Sequence, residues 1–159
     1  MSQEQPRQLP TSRDIEVMYQ EVDRLYYKLA RGCGLSETAY WILYEIVMAG
    51  GSATQQAIAQ THSMSRQTVN SALKSLEQKG LVSISFAEGS RRSKVVKLTD
   101  AGQSLCDKRI VPGINAEKNA FDALPEQDRI EFVRLGREYA AAVRAEVERL
   151  FSGEGASHE

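Results

Sequence analysis

The chain has 159 residues, 42% hydrophobic and 26% charged, with a formal net charge of −1; this balance suits one globular domain with helical appendages and excludes a collagen-like repeat, a disulfide-stapled miniature and wholesale disorder. No window approaches the roughly 20 apolar residues of a membrane helix, and residues 1–11 are too polar for a signal peptide, so a cytoplasmic location is expected. The charge is unevenly spread: residues 54–109 carry nine basic and four acidic side chains, against five and seven in residues 1–53 and six and ten in residues 110–159, so a polyanion would be attracted through the middle of the chain alone.

Residues 1–12 hold Pro6, Pro10 and several glutamines without apolar periodicity and read as a flexible tail. From Arg13 to Arg31 the positions Ile15, Met18, Tyr19, Val22, Leu25, Tyr26 and Leu29 recur every three or four residues, the spacing of one helix face, and Gly32 and Gly34 stop it. Ser36 is placed to cap a second helix, Glu37 meets the positive end of its dipole, and the run Ala39 to Met48 ends at Gly50 and Gly51. Thr54 caps a short helix over Gln55–Gln60. The turn Thr61-His62-Ser63-Met64 then leads to Ser65, the cap of a partner helix that closes at Lys79 and Gly80. Two short helices about four residues apart fit a helix-turn-helix.

After Gly80 the period changes to two. Val82, Ile84 and Phe86 alternate with Ser83 and Ser85, Glu88-Gly89-Ser90 form a turn, and Lys94 to Leu98 return as the second strand of a hairpin. Thr99 caps a helix from Asp100 that Pro112 and Gly113 are expected to kink or interrupt. Pro125 suits the first turn of a last helix, Glu126–Phe151, with an apolar stripe of Ile130, Val133, Ala140, Val143, Val147 and Leu150, and residues 152–159 read as a second flexible tail. The expected fold class is mainly α with a small β-hairpin wing (α+β), a winged helix-turn-helix.

Two features point to DNA. On a helical wheel Val69, Ala72, Leu73 and Leu76 fall on one side of the second helix of the pair, while Gln67, Asn70, Ser71, Lys74 and Gln78 fall on the other. Amides can pair with adenine edges, serine with base or phosphate, and lysine with guanine or backbone. Ser65, Arg66 and Thr68 stand at the helix start, where free backbone N–H groups also favour anions. In the hairpin, Arg91, Arg92 and Lys94 cluster near the turn, and three like charges repel unless an anion lies between them; a narrow minor groove is such an anion. A solvated helix face and a strand edge guarded by cations are the plainer alternatives.

In two stretches the residues resemble the MarR family of bacterial regulators. Ser65-Arg66-Gln67-Thr68-Val69-Asn70 through Leu76-Glu77-Gln78-Lys79-Gly80-Leu81-Val82 is similar to the family's recognition helix and its exit. Arg92-Ser93-Lys94-Val95-Val96-Lys97-Leu98-Thr99-Asp100-Ala101-Gly102 is similar to the second wing strand running into a Leu-Thr-x-x-Gly helix start. Where the family often has an acidic residue two before the wing arginine, this chain has Ser90. The resemblance implies one regulator domain over 13–151, with a DNA-binding unit at 54–99 and dimerisation helices at 13–31 and 100–151. It also implies a homodimeric, ligand-responsive repressor on a pseudo-palindromic operator of double-stranded DNA. The apolar stripes on the first and last helices are compatible with a dimer.

Relatives of this kind respond to small aromatic or phenolic effectors, and Tyr19, Tyr26, Tyr40, Trp41 and Tyr44 are candidates to line such a pocket, with core packing as the plainer reading. Cys33, between glycines and near Arg31, is a candidate low-pKa thiol, while Cys106 is expected to be packed. His62 reads as a turn or phosphate contact, and two histidines are too few for a metal site. No metal or other cofactor is expected, and no phosphate loop, nucleophile elbow or ligand cluster suggests an enzyme. A winged-helix protein-interaction module and a thiol-based redox-sensing regulator are the alternatives to a DNA-binding regulator.

Overall fold

A computed structural model of the chain describes residues 9–89 and 92–154, with side chains through Ser152. Its elements are α1 (Ser12–Gly32), α2 (Glu37–Met48), β1 (Ser52–Thr54), α3 (Gln55–Thr61), α4 (Arg66–Gln78), β2 (Val82–Phe86), β3 (Lys94–Leu98), α5 (Asp100–Leu105), a π-helical turn (Cys106–Ile110), α6 (Val111–Asp122) and α7 (Glu126–Glu154). They fall into two compact units, one through Ile114 and one from Asn115.

In the first unit the helix starts are where the hydroxyls place them. Ser36 accepts from Ala39 N, Thr54 from Ala57 N, Ser65 from Thr68 N and Thr99 from Gly102 N, each bond satisfying an amide that the first helical turn leaves without a partner. At the start of α1 the Asp14 carboxylate takes the Thr11 N–H at 2.7 Å. That helix runs through Gly32 and closes at Gly34, whose N–H reaches Arg31 O while Leu35 N reaches Ala30 O, at 3.0 and 3.1 Å. The apolar run of α2 is the centre of the core: Tyr40, Ile42, Leu43 and Ile46 are fully buried, and α2 packs on α1, α4 and the π turn. Ile58 of α3, Val69, Leu73 and Leu76 of α4, Val82, Val96, Cys106 and Ile110 complete the cluster.

The sheet is antiparallel with strand order β1-β3-β2. β2 pairs with β3 through Val82↔Leu98 and Ile84↔Val96, as the alternation implies. Its pattern fades outward, since Phe86 is 60% exposed at the wing end. β1, which pairs Ala53 with Val96, has no counterpart in the sequence reading. Three residues are too few to show a period, and the strand exists because β3 offers an open edge beside it.

Helix α5 continues without a break through the π turn into α6, which corrects the expected interruption at Pro112 and Gly113. The strain of a proline ring against the carbonyl four residues back is relieved upstream, where widening to π winding opens the turn before Pro112. Gly113 answers to packing: a Cβ there would stand 2.7 Å from the Tyr40 hydroxyl.

One contact joins the helix pair, the wing and α5. The Thr99 hydroxyl donates to Gly80 O at 2.6 Å, Thr99 N donates to Leu81 O at 3.2 Å, and Gly102 lies so near Leu81 that a Cβ would come within 1.9 Å of its carbonyl oxygen. Gly80 itself, at φ 68°, ends α4 in the left-handed region.

The second unit is a helical hairpin of the end of α6 and α7. Arg129 and Asp122 form an ion pair across its turn at 2.9 Å, and Phe121 meets Phe132 edge to face at 6.5 Å between ring centroids. Pro125 sits just before α7, its carbonyl accepting from Arg129 N, and the helix runs three residues beyond Phe151. Ile130, Val133, Val143, Val147 and Leu150 are all exposed within this unit. No described helix is long and apolar enough to cross a membrane.

The Leu81 contact predicts that Gly102→Ala costs roughly 2–3 kcal/mol by forcing two backbone segments apart, a fall of about 5–10 °C in Tm on calorimetry. Gly32→Ala, with open space around it, is expected to raise Tm slightly through better helix propensity. Equal Tm values for the two variants would contradict the close approach.

Candidate DNA interface

The helix-turn-helix is held from behind. Ile58, Val69, Leu73 and Leu76 anchor α3 and α4 to the core, and Ser63 carries the sharp turn between them at φ 50°. The turn's histidine does not face outward: His62 Nε2 lies 2.9 Å from Glu45 Oε1 of α2, and its ring stands 5.0 Å from Trp41. It is a turn contact, and the phosphate alternative does not fit this placement.

With the apolar stripe buried, α4 presents Arg66, Gln67, Asn70, Ser71, Lys74 and Gln78 to solvent. Ser65 and Thr68 also lie on the surface, but their hydroxyls are 2.7 Å apart and form part of the cap. They shape the helix start and leave its other amides to a ligand. Beside α4 the start of α3 and the base of the wing enclose a concavity of about 630 Å³, lined among others by Gln55, Arg66, Asn70, Arg92 and Lys94. Of the described residues lining it three are cationic and none is acidic, which makes it a focus of positive potential in a chain whose net charge is −1. Arg66, Lys74 and Lys94 have no ion-pair partner among the described residues. Ser90 and Arg91 lie outside the described residues, so the candidate cluster at the wing is placed here through Arg92 and Lys94.

Gln55 is absent from the sequence reading of the site. It is the first residue of α3, and its Nε2 donates to Asn70 Oδ1 on α4. The order Thr54-Gln55 signals only a capped helix start; the partner 15 residues on is supplied by the turn between the helices.

The aromatic candidates separate by burial. Tyr40 is fully buried and Tyr19 is 57% exposed, while Tyr26, Trp41 and Tyr44 are half-buried. Trp41 is surrounded by Tyr26, Tyr44 and Tyr40 at centroid distances of 4.5, 5.3 and 5.8 Å, so these rings pack chiefly on one another. Among the described residues Tyr19 makes no ring contact with them and stands apart on the face of α1.

Neither cysteine has the surroundings of a reactive thiolate. Arg31 is turned to Tyr27, with its guanidinium 5.7 Å from that ring; the cation acting on Cys33 is Arg109, and burial outweighs it, raising the thiol above its ordinary value. Cys106 is buried and pushed up to about 11, by desolvation first and then by Asp107. Among the described residues no group of three or more His, Cys, Asp or Glu is placed to hold a metal ion.

Residues 34–93 match the family model described as MarR family. A comparison with curated proteins finds no match. Solved structures share the fold: a MarR family regulator from Neisseria meningitidis has a TM-score of 0.70 at 19% identity, covering 91% of this chain and 99% of its own. AbsC, a MarR family transcriptional regulator from Streptomyces coelicolor, has a TM-score of 0.66 at 22% identity over 87% and 99% of the two chains. An organohalide-sensing transcriptional regulator in its 2,4-dichlorophenol-bound form has a TM-score of 0.61 at 14% identity over 88% and 89%. The matched segment spans the core helix, the helix-turn-helix and the wing up to Ser93; over these residues the chain is similar to the MarR family, and the solved structures share its fold.

Proposed function

We propose that the protein is a sequence-specific repressor that binds a pseudo-palindromic operator as a homodimer, with α4 in the major groove and the wing on the adjacent backbone or minor groove. The observation that carries this is the polar outer face of α4 joined to a concavity ringed by Arg66, Arg92 and Lys94. Cations on the rim fit phosphates and are indifferent to sequence; Gln67, Asn70, Ser71 and Lys74 on the exposed middle of α4 are the residues placed to touch base edges.

Dimerisation is supported by the helices outside the helix-turn-helix. In α1, Met18, Val22 and Leu25 are exposed along one face, and α7 exposes Val133, Val143, Val147 and Leu150. These residues form extended apolar surface on two separate helices, which a second copy of the chain would cover. Two recognition helices held by a two-fold axis meet successive major grooves about 34–36 Å apart, hence the inverted repeat.

A response to phenolic effectors is supported by the dichlorophenol-bound relative and by the aromatic group on α1 and α2. Since Tyr40 lies wholly inside the core, the residues proposed to touch an effector are Tyr26, Trp41 and Tyr44, with Tyr19 at the exposed margin.

Three outcomes are expected. Arg92→Ala weakens binding to all duplexes alike and lowers the salt slope of log K by about one unit per lost phosphate contact; titrations at several salt concentrations that match the unaltered protein would remove the wing from the interface. Light scattering at micromolar concentration gives about twice the 17.7 kDa of one chain, whereas a monomer mass would remove the dimer and the inverted repeat together. Because Trp41 is the one tryptophan, a chlorophenol that binds beside it should quench its fluorescence saturably and release operator DNA over the same concentration range; quenching without release would refute the effector role.

A further inference from the structure

We propose that Gln55 is a positioning residue for Asn70 and decides which bases Asn70 prefers by occupying its carbonyl oxygen. This rests on the reading of α4 as the recognition helix. Gln55 begins α3, with Thr54 fixed as its cap, and donates from Nε2 to Asn70 Oδ1. Both side chains line the concavity between α3, α4 and the wing. Among the described residues Gln55 is the one group hydrogen-bonded to the Asn70 side chain. The two helices that carry the pair are pinned by buried Ile58 and Leu73, so the bond spans a fixed gap.

The consequence follows from amide chemistry. A free asparagine offers adenine both ends of its carboxamide, donating to N7 and accepting from the N6 amino group. The oxygen and nitrogen diverge from one carbon, so a bond that draws Oδ1 toward α3 turns Nδ2 away from α3 and outward. Held this way Asn70 meets the groove as a donor, which suits acceptor edges: N7 and O6 of guanine or O4 of thymine. The bidentate adenine contact, which the residue type alone suggests, is disfavoured as long as Gln55 holds the oxygen.

Two substitutions at Gln55 make opposite demands. Gln55→Leu removes the donor and frees Oδ1, so adenine should gain about three- to tenfold in relative preference at the base pair that Asn70 reads. Gln55→Glu replaces the donor by an acceptor. Asn70 then turns Nδ2 toward the carboxylate and Oδ1 outward, and preference should move to adenine or cytosine, whose amino groups donate. The test is selection of bound duplexes from a random pool with the full chain, its two Gln55 variants and Asn70→Ala, alongside thermal melting of each protein. Support is a shift in both Gln55 variants confined to the position, and its symmetry mate, that Asn70→Ala relaxes. A distinct motif from the unaltered chain that both Gln55 variants reproduce, or shifts at other positions only, would overturn the positioning role and leave α4 as the reader. No enriched motif from the unaltered chain would overturn the DNA-reading assignment and this proposal with it.

Discussion

At Gly102 the backbone of α5 approaches the carbonyl of Leu81 so closely that no side chain fits between them. The Thr99 hydroxyl spans the same junction, accepting from Gly102 N and donating to Gly80 O. Four elements meet at this point: the exit of α4, the start of β2, the end of β3 and the start of α5. A displacement of any one must carry the others. Helix α4 and the wing are therefore coupled as one rigid piece, and such rigidity would let the two contacts proposed with DNA be made in a single register. Behind them, the buried face of α2 supplies the surface on which that piece is seated, and Lys79 ties its corner to the end of α1 through Gly34 O at 3.2 Å.

The electrostatics are divided between the two units in a way the net charge conceals. In the second unit arginines are consumed locally: Arg134 pairs with Glu131 and Glu138, and Arg149 with Glu146. Such exposed pairs add little stability, but they neutralise these arginines within the unit, which is acidic on balance. In the first unit Arg66, Lys74 and Lys94 stand at or near the concavity without acidic partners among the described residues. A polyanion is thus drawn to one face of a chain that is nearly neutral as a whole. Sequence discrimination would have to come from contacts with base edges, because a cation attracted to every phosphate distinguishes no site.

The packing around Trp41 shows how the turn between α3 and α4 is supported from within. His62 is held by Glu45 and lies against Trp41, which in turn touches Tyr26 and Tyr44. The aromatic group on α1 and α2 is therefore physically continuous with the turn of the helix-turn-helix. This gives a route by which an occupant of that group would alter the pose of α4 without touching DNA. Burial holds the thiols of Cys33 and Cys106 above their ordinary value.

The sequence by itself determined what depends on near neighbours. Ser36, Thr54, Ser65 and Thr99 marked their helix starts because a cap bond reaches only two or three residues along the chain. The period of three to four in α1 and α4 and of two in β2 marked the faces that are buried or exposed, and the residues 65–82 and 92–102 carried the resemblance to the MarR family. What remained for the tertiary structure was every feature whose cause lies far along the chain. β1 exists through the edge of β3, more than forty residues away; Gly102 and Gly113 are glycines because Leu81 and Tyr40 press on them; Cys33 answers to Arg109 and not to the nearby Arg31. The bond from Gln55 to Asn70 is of the same kind: residue type shows that both amides can hydrogen-bond, but only the angle between α3 and α4 brings one to the other and leaves a single polarity facing outward.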